Sequence, residues 1–175
     1  MKNTYLNLNN LDGLIDGVVV RKLKIFKDQS GSLVETLRTD WNDVYGDINA
    51  PFAMQYMSKT PSGLARDEDE WHVHKHQKDR FICISGKIIT AIYDPRPDSK
   101  TKGKINLFSM SPDNEEEMYM VVIPELTYHG FMVISQTDGI LLNFPTQLYT
   151  GEDEGRVKHS GEFDWQDVRN DFGIK

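Results

Sequence analysis

Three of the five histidines in this 175-residue chain crowd into the run Trp71-His72-Val73-His74-Lys75-His76-Gln77. In an extended segment alternate side chains share a face, so His72 and His74 converge on one point while Val73 packs away from it. Asp79 follows closely, and another histidine, His129, comes directly after the turn Pro124-Glu125-Leu126-Thr127-Tyr128. Three neutral imidazoles and a carboxylate suit a divalent transition metal and leave positions open for water or substrate. His72, His74, Asp79 and His129 are therefore the candidate ligands, with Zn, Fe, Mn or Ni as the candidate ion. The alternative is that these histidines lie on the surface and pair with the acidic run Asp67-Glu68-Asp69-Glu70. That alternative is favoured for His76, which polar residues follow, and for His159, which lies in a polar tail.

Strands are the elements that must position such a cluster. Short apolar segments recur at intervals of roughly 8 to 15 residues, separated by Gly, Pro, Asp and Ser clusters that reverse a chain. Strands are predicted over residues 17–24, 32–38, 52–59, 72–76, 80–85, 87–93, 104–110, 118–123, 130–135 and 139–144. Continuous runs such as Ile88-Ile89-Thr90-Ala91-Ile92 fit strands covered on both faces. Ser85-Gly86-Lys87 reads as the turn of a hairpin, and pairing of residues 80–85 with the histidine strand would bring Asp79 close to both imidazoles. Helical signal is confined to one turn over 39–45 and another over 164–172, with Asp164 as N-cap before Trp165. No repeat, linker or shift of composition divides residues 1–175, so one all-β domain is expected, with its ligand in the mouth of a barrel or sandwich.

Composition narrows the function classes. Eight Phe, seven Tyr and three Trp supply bulky apolar surface that disordered chains lack. Twenty Lys and Arg against 27 Asp and Glu give a net charge of -7, which repels polyphosphates and makes nucleic acid an unexpected partner. Cys83, the single cysteine, sits in Phe81-Ile82-Cys83-Ile84 as a small buried hydrophobe and permits no intramolecular disulfide. No apolar stretch is long enough to span a bilayer and the first residues lack a signal-peptide pattern, so a cytoplasmic protein without a membrane partner is expected. Trp71 is assigned to the core, and Asn143 to satisfying backbone groups at the end of a buried strand.

The pattern His72-x-His74-x4-Asp79-x6-Gly86 followed by Pro124-x-Leu126-x-x-His129 resembles the two motifs of the cupin superfamily, with Asp79 where Glu is usual and Leu126 where Gly is usual. Within it the chain looks most like the dTDP-4-dehydrorhamnose 3,5-epimerase family. Phe26-Lys27-Asp28-Gln29-Ser30-Gly31-Ser32-Leu33-Val34-Glu35 resembles the family's early segment, and Asp94-Pro95-Arg96-Pro97-Asp98-Ser99-Lys100-Thr101-Lys102-Gly103 its D-x-R-x-x-S-x-T-x-G hairpin. Tyr128-His129-Gly130-Phe131 is similar to its A-H-G-F turn, and Tyr149-Thr150-Gly151-Glu152-Asp153-Glu154-Gly155 to its closing segment.

The resemblance implies a cupin jelly roll with few short helices, a nucleotide-diphosphate sugar as ligand, no required cofactor, and a homodimer in which an early strand crosses to the neighbour. It implies proton abstraction beside the keto group of a dTDP-4-keto-6-deoxyhexose, with reprotonation on the opposite face. Such chemistry needs a base and a stabiliser for the enolate oxygen. His72 falls at the family's base and His129 at its second active-site histidine; Glu35, Gln55, Arg66 and Glu152 fall at substrate contacts, Arg66 at the diphosphate. The family's enolate-stabilising Lys falls on Asp79, its proton-donating Tyr on Leu142, and the Arg of its early segment on Ser30. Lys78 is discounted as a one-place slip, because neighbouring side chains of a strand point to opposite faces. Tyr149 and Tyr56 are the tyrosines left to supply a proton, with neither placed by the sequence. A metal on His74, Asp79 and His129 replaces the missing ammonium in a further scheme. A metal-dependent cupin of another class, either a dioxygenase or a phosphosugar isomerase, and a non-catalytic sugar-binding cupin are the competing functions.

Overall fold

The computed structural model describes residues 3–46 and 51–174. Strands β1 (Tyr5–Leu6), β2 (Val19–Lys22), β3 (Ile25–Asp28) and β4 (Gly31–Val34) precede β5 (Tyr56–Thr60), β6 (Ala65–Arg66) and β7 (Glu70–His74). Then come β8 (Asp79–Ser85), β9 (Ile88–Tyr93), β10 (Ile105–Met110), β11 (Tyr119–Ile123), β12 (Tyr128–Val133), β13 (Gly139–Asn143) and β14 (Glu154–Lys158), with helix α1 (Trp165–Phe172) last. One sheet runs β1-β10-β9-β12-β7-β14, with β6 also on β12; the second runs β2-β11-β8-β13-β5; among the described residues β3 and β4 pair only with each other.

Side-chain alternation explains the layers. Phe81 and Cys83 of β8 meet Phe131 and Val133 of β12 and Leu141 of β13 in the core between the sheets. The intervening Ile82 faces outward, onto Leu23, Trp41 and Phe144. Met132 faces the opposite outer layer, with Trp71, Trp165 and Val168 under α1. With both outer faces covered, the central strands read as unbroken apolar runs. Trp71 is fully buried, as expected. Burial also pushes the Cys83 thiol up to about 12, consistent with an inert core residue.

Two pairing expectations are corrected. β8 pairs with β11 and β13, while the histidine strand β7 pairs with β12 and β14. Nor do β8 and β9 form a hairpin: they belong to different sheets, and Ser85-Gly86-Lys87 is the corner between them. Gly86 takes φ 72° there, and a Cβ would meet Ser135 Oγ at 2.6 Å. The predicted turn over 39–45 forms, with Tyr45 N–H donating to Trp41 O at 2.8 Å, but no helix follows. α1 is capped as expected: Asp164 accepts from Gln166 N–H, and Gly173 closes the end at φ 66°. Among the described residues, no helix is long and apolar enough to cross a membrane.

Leu126 is one of two non-glycine residues at positive φ among the described residues, at 61°, and its side chain is half exposed. A left-handed conformation costs an L-residue roughly 1–2 kcal/mol, and the flexibility of glycine in the unfolded chain offsets part of any relief. Leu126→Gly is therefore expected to raise stability by about 0.5 kcal/mol, read as a higher urea midpoint; a lower midpoint would contradict the strain.

Candidate active site

Strands β5, β6, β7, β8, β12 and β14, drawn from the two sheets, meet around a cavity of about 370 Å³ lined by Tyr56, Arg66, His72, Asp79, His129, Glu154 and Arg156, among others. Alternation puts His72 and His74 on the inner face of β7 and Trp71 on the outer. β12 places His129 directly opposite His72 across the strand pair. Asp79 arrives from the other sheet at the start of β8, one step of alternation before Phe81. The expected convergence is present: ligand-capable nitrogens of His72, His74 and His129 all lie within 4.8 Å of one another. Asp79 Oδ2 is 3.2 Å from His129 Nε2 and 3.6 Å from His74 Nε2.

The hydrogen bonds fix several proton positions. Asp153 Oδ2 lies 3.0 Å from His74 Nδ1, so the carboxylate accepts and Nδ1 carries the proton. His74 Nε2 then presents a lone pair, approached by Gln77 Nε2 at 3.0 Å and His72 Nε2 at 2.9 Å. Gln77 and Asn143 each donate to Asp79 Oδ1 at 2.8 Å. The Asn143 amide has only one orientation, because its Oδ1 accepts the Arg80 backbone N–H; its Nδ2 also donates to the Tyr56 hydroxyl at 2.9 Å. Asn143 thus satisfies a backbone group, as expected, and bridges two site residues besides. The other ring nitrogen of His129, Nδ1, is buried without a hydrogen-bond partner.

Burial, with His129, His74 and Arg156 beside it, pushes His72 down to about 2, so its imidazole is neutral. Asp79 behaves oppositely to most buried acids. Burial raises its pKa, but the bond from His129, the neighbouring imidazoles and the bond from Asn143 outweigh that, and it falls to about 2.

The predicted residues divide. His72, Asp79, His129 and Arg66 line the cavity, and His74 is buried against them. His76 is exposed, whereas His159, expected in solvent, packs against Trp71 with ring centroids 4.7 Å apart and the planes tilted by 56°. Glu35 pairs with Arg38 beside the β3–β4 hairpin, outside the cavity. Gln55 and Glu152 are both exposed and off the cavity wall. Lys78 turns away toward Glu125, 3.9 Å distant. The acidic run is tied down rather than free, through Asp67 to Arg156 and Glu68 to Arg169. Sequence reasoning gave no role to Asp153, Glu154, Gln77 or Arg156. All but Gln77 are brought in by β14 and its preceding turn, where Glu154 pairs with His74 and Arg156 with His72. Glu154 Oε1 stands 3.8 Å from His72 Nδ1 and is ion-paired to Arg156.

Known proteins share this architecture. A dTDP sugar isomerase from Desulfovibrio desulfuricans superposes with a TM-score of 0.76 over 93% of this chain and 96% of its own, at 20% identity. A dTDP-6-deoxy-D-glucose-3,5-epimerase from Legionella pneumophila, solved with dTDP-4-keto-L-rhamnose, gives 0.69 over 85% and 75%, at 22% identity. The expected jelly-roll fold is thereby established. In sequence, a probable low-salt glycan biosynthesis epimerase of Haloferax volcanii is 39% identical over 140 residues, covering 79% of this chain and 83% of its own. A spore coat polysaccharide biosynthesis protein of Bacillus subtilis is 31% identical over 157 residues, covering 87% and 97%. The profile of the dTDP-4-dehydrorhamnose 3,5-epimerase family matches residues 13–170, and this chain belongs to that isomerase family.

Proposed function

We propose that the protein removes a proton next to the keto group of a 4-keto-6-deoxyhexose carried on a nucleotide diphosphate, with His72 as the base. The observation that carries this reading is the neutral His72 imidazole on the wall of a sugar-sized cavity: its Nε2–H faces the lone pair of the Asp153-oriented His74, which leaves Nδ1, 3.8 Å from Glu154, as the atom that takes the proton. The imidazolium that forms on proton transfer gains Glu154 and Asp79 as nearby negative charges. Arg66 at the rim suits the diphosphate, as a planar multidentate donor. The keto-sugar in the Legionella neighbour and the epimerase name of the Haloferax relative support the substrate class. Exposed Phe26 and Leu33 on the β3–β4 hairpin support a homodimer in which that hairpin meets a neighbour. Incubation with dTDP-4-keto-6-deoxyglucose in D₂O tests the reading: deuterium enters at C3 or C5, and absence of exchange at both carbons removes that sugar as substrate.

A second reading keeps His72 as base and adds a divalent metal on His74, Asp79 and His129. Zinc ligands at about 2.0–2.1 Å in a tetrahedron lie roughly 3.3–3.4 Å apart. The His129–Asp79 and His74–Asp79 separations of 3.2 and 3.6 Å bracket that value. Asp153 on His74 Nδ1, and Gln77 and Asn143 on the second Asp79 oxygen, are the outer partners that orient such ligands. A bound ion would supply Lewis acidity toward the carbonyl oxygen, where the family's ammonium is missing. With His72 recruited as a fourth ligand, the imidazole base would be lost, so the two arrangements exclude each other. Elemental analysis of protein purified without a histidine tag is expected to find about one Mn, Fe, Ni or Zn per chain. A substoichiometric trace, with no melting shift on adding any of the four, counts against the metal.

A further inference from the structure

We propose that Tyr56 is the acid that delivers a proton to the sugar carbon on the face opposite His72. This rests on the epimerase reading and assigns the residue that inverts the centre. Inversion requires a base on one side of the ring and a donor on the other. The sandwich provides two sides: His72 projects from β7 in one sheet and Tyr56 from β5 in the other, and both line the same cavity.

The position thirteen residues after His129 does not serve. Leu142 packs on the outer layer with Ile82 and Phe144, while its neighbours Leu141 and Asn143 face inward. A tyrosine at 142 would point out of the cavity. Tyr56 is the direct cross-strand partner of Asn143 and therefore shares its inward face. Among the described tyrosines it is the one on the cavity wall; Tyr149 is 69% exposed and lies elsewhere.

The hydrogen-bond network leaves the phenol poised to donate. Because Arg80 N–H holds Asn143 Oδ1, the amide nitrogen must face Tyr56, and the phenolic oxygen accepts that bond. The O–H proton has no acceptor of its own among the described residues and is free to point at a ligand. The phenol is protonated at neutral pH, as at its ordinary value of 10; although Tyr56 is 41% exposed, desolvation and the Asp79 charge push it further up, to about 12, against the opposing Asn143 bond.

The step balances simply. His72 takes the α-proton, and the C–H electrons form the enolate. The enolate carbon then bonds the Tyr56 proton from the other face and restores the carbonyl. The resulting phenolate, still bonded by Asn143, is reprotonated by water, and His72 returns its proton to water.

The test follows wild type, Tyr56→Phe and Tyr149→Phe with dTDP-4-keto-6-deoxyglucose in D₂O, reading deuterium by mass and configuration by NMR. Tyr56→Phe is expected to lose inverted product by about tenfold or more while still gaining deuterium with the starting configuration, because same-face return through His72 survives. Tyr149→Phe is expected to match wild type. Inversion by Tyr56→Phe within roughly threefold of wild type, or loss of exchange together with inversion, overturns the assignment and leaves the epimerase reading standing. Wild type that neither exchanges nor inverts removes that reading, and the donor role with it. Fluorotyrosine at position 56 covers a Phe variant that fails to fold: the more acidic phenol moves the alkaline limb of inversion to lower pH, and an unmoved limb overturns the proposal.

Discussion

His72→Asn is expected to lower solvent-deuterium exchange into the keto-sugar by roughly 10²–10⁴-fold, the usual contribution of a positioned base, with the melting temperature nearly unchanged. Asn keeps a polar side chain on the inner face of β7 but offers no lone pair basic enough to take a carbon-bound proton. Little stability should be lost, because Asn is also polar and the one close nitrogen contact His72 makes among the described residues is the 2.9 Å approach to His74. Glu154 is a positioning residue in this scheme: at 3.8 Å from His72 Nδ1 it is placed to draw in as positive charge develops on the ring. Exchange by His72→Asn at more than about a tenth of the wild-type rate would assign the base elsewhere.

Asp79→Ala is expected to cost roughly 3–5 kcal/mol of folding stability, the range seen when one member of a buried charged network is deleted. The Asp79 side chain is essentially inaccessible and receives Gln77, Asn143 and His129 on its two oxygens. Removing it strands all three donors at once. Asp79→Asn should cost less, about 1–3 kcal/mol, because its carbonyl can still accept from Gln77 and Asn143 while its amide opposes the His129 N–H. Urea unfolding of the three proteins measures this; an alanine variant within 1 kcal/mol of wild type would mean that the network carries no stability.

The same carboxylate sets an acid limit. Its pKa is about 2 in the fold against an ordinary 3.8. The stabilisation it brings is therefore complete above about pH 4 and is lost as pH falls toward 2, on the order of 2 kcal/mol. His72 acts in the same direction. The unfolded chain binds a proton below about pH 6.5 that the buried ring resists, so acid favours unfolding there too.

Much of this molecule was legible in the residues. Ten of the strands lie on or beside segments marked by apolar rhythm, since a strand covered on both faces needs apolar side chains whatever it pairs with. β1 and β6 escaped notice because two residues carry no period, and β3 and β14 because exposed strands need no apolar pattern. The inward pairing of His72 with His74 follows from spacing alone, as alternation is a property of the extended backbone.

Partner identity across space was another matter. Asp79 was expected to reach the imidazoles as the neighbour in a hairpin, and instead reaches them across the sandwich from the opposing sheet. Leu142 marks the limit of counting: residues 134–138 connect β12 to β13 outside any strand and carry no alternation, so the number of residues from His129 does not tell which face of β13 a side chain takes. Which types of side chain are available, and which alternate within one strand, is written in local sequence. Which strands lie side by side depends on packing of both sheet faces over separations of tens of residues, and only the assembled sheets bring Asp153, Glu154 and Tyr56 to the histidines.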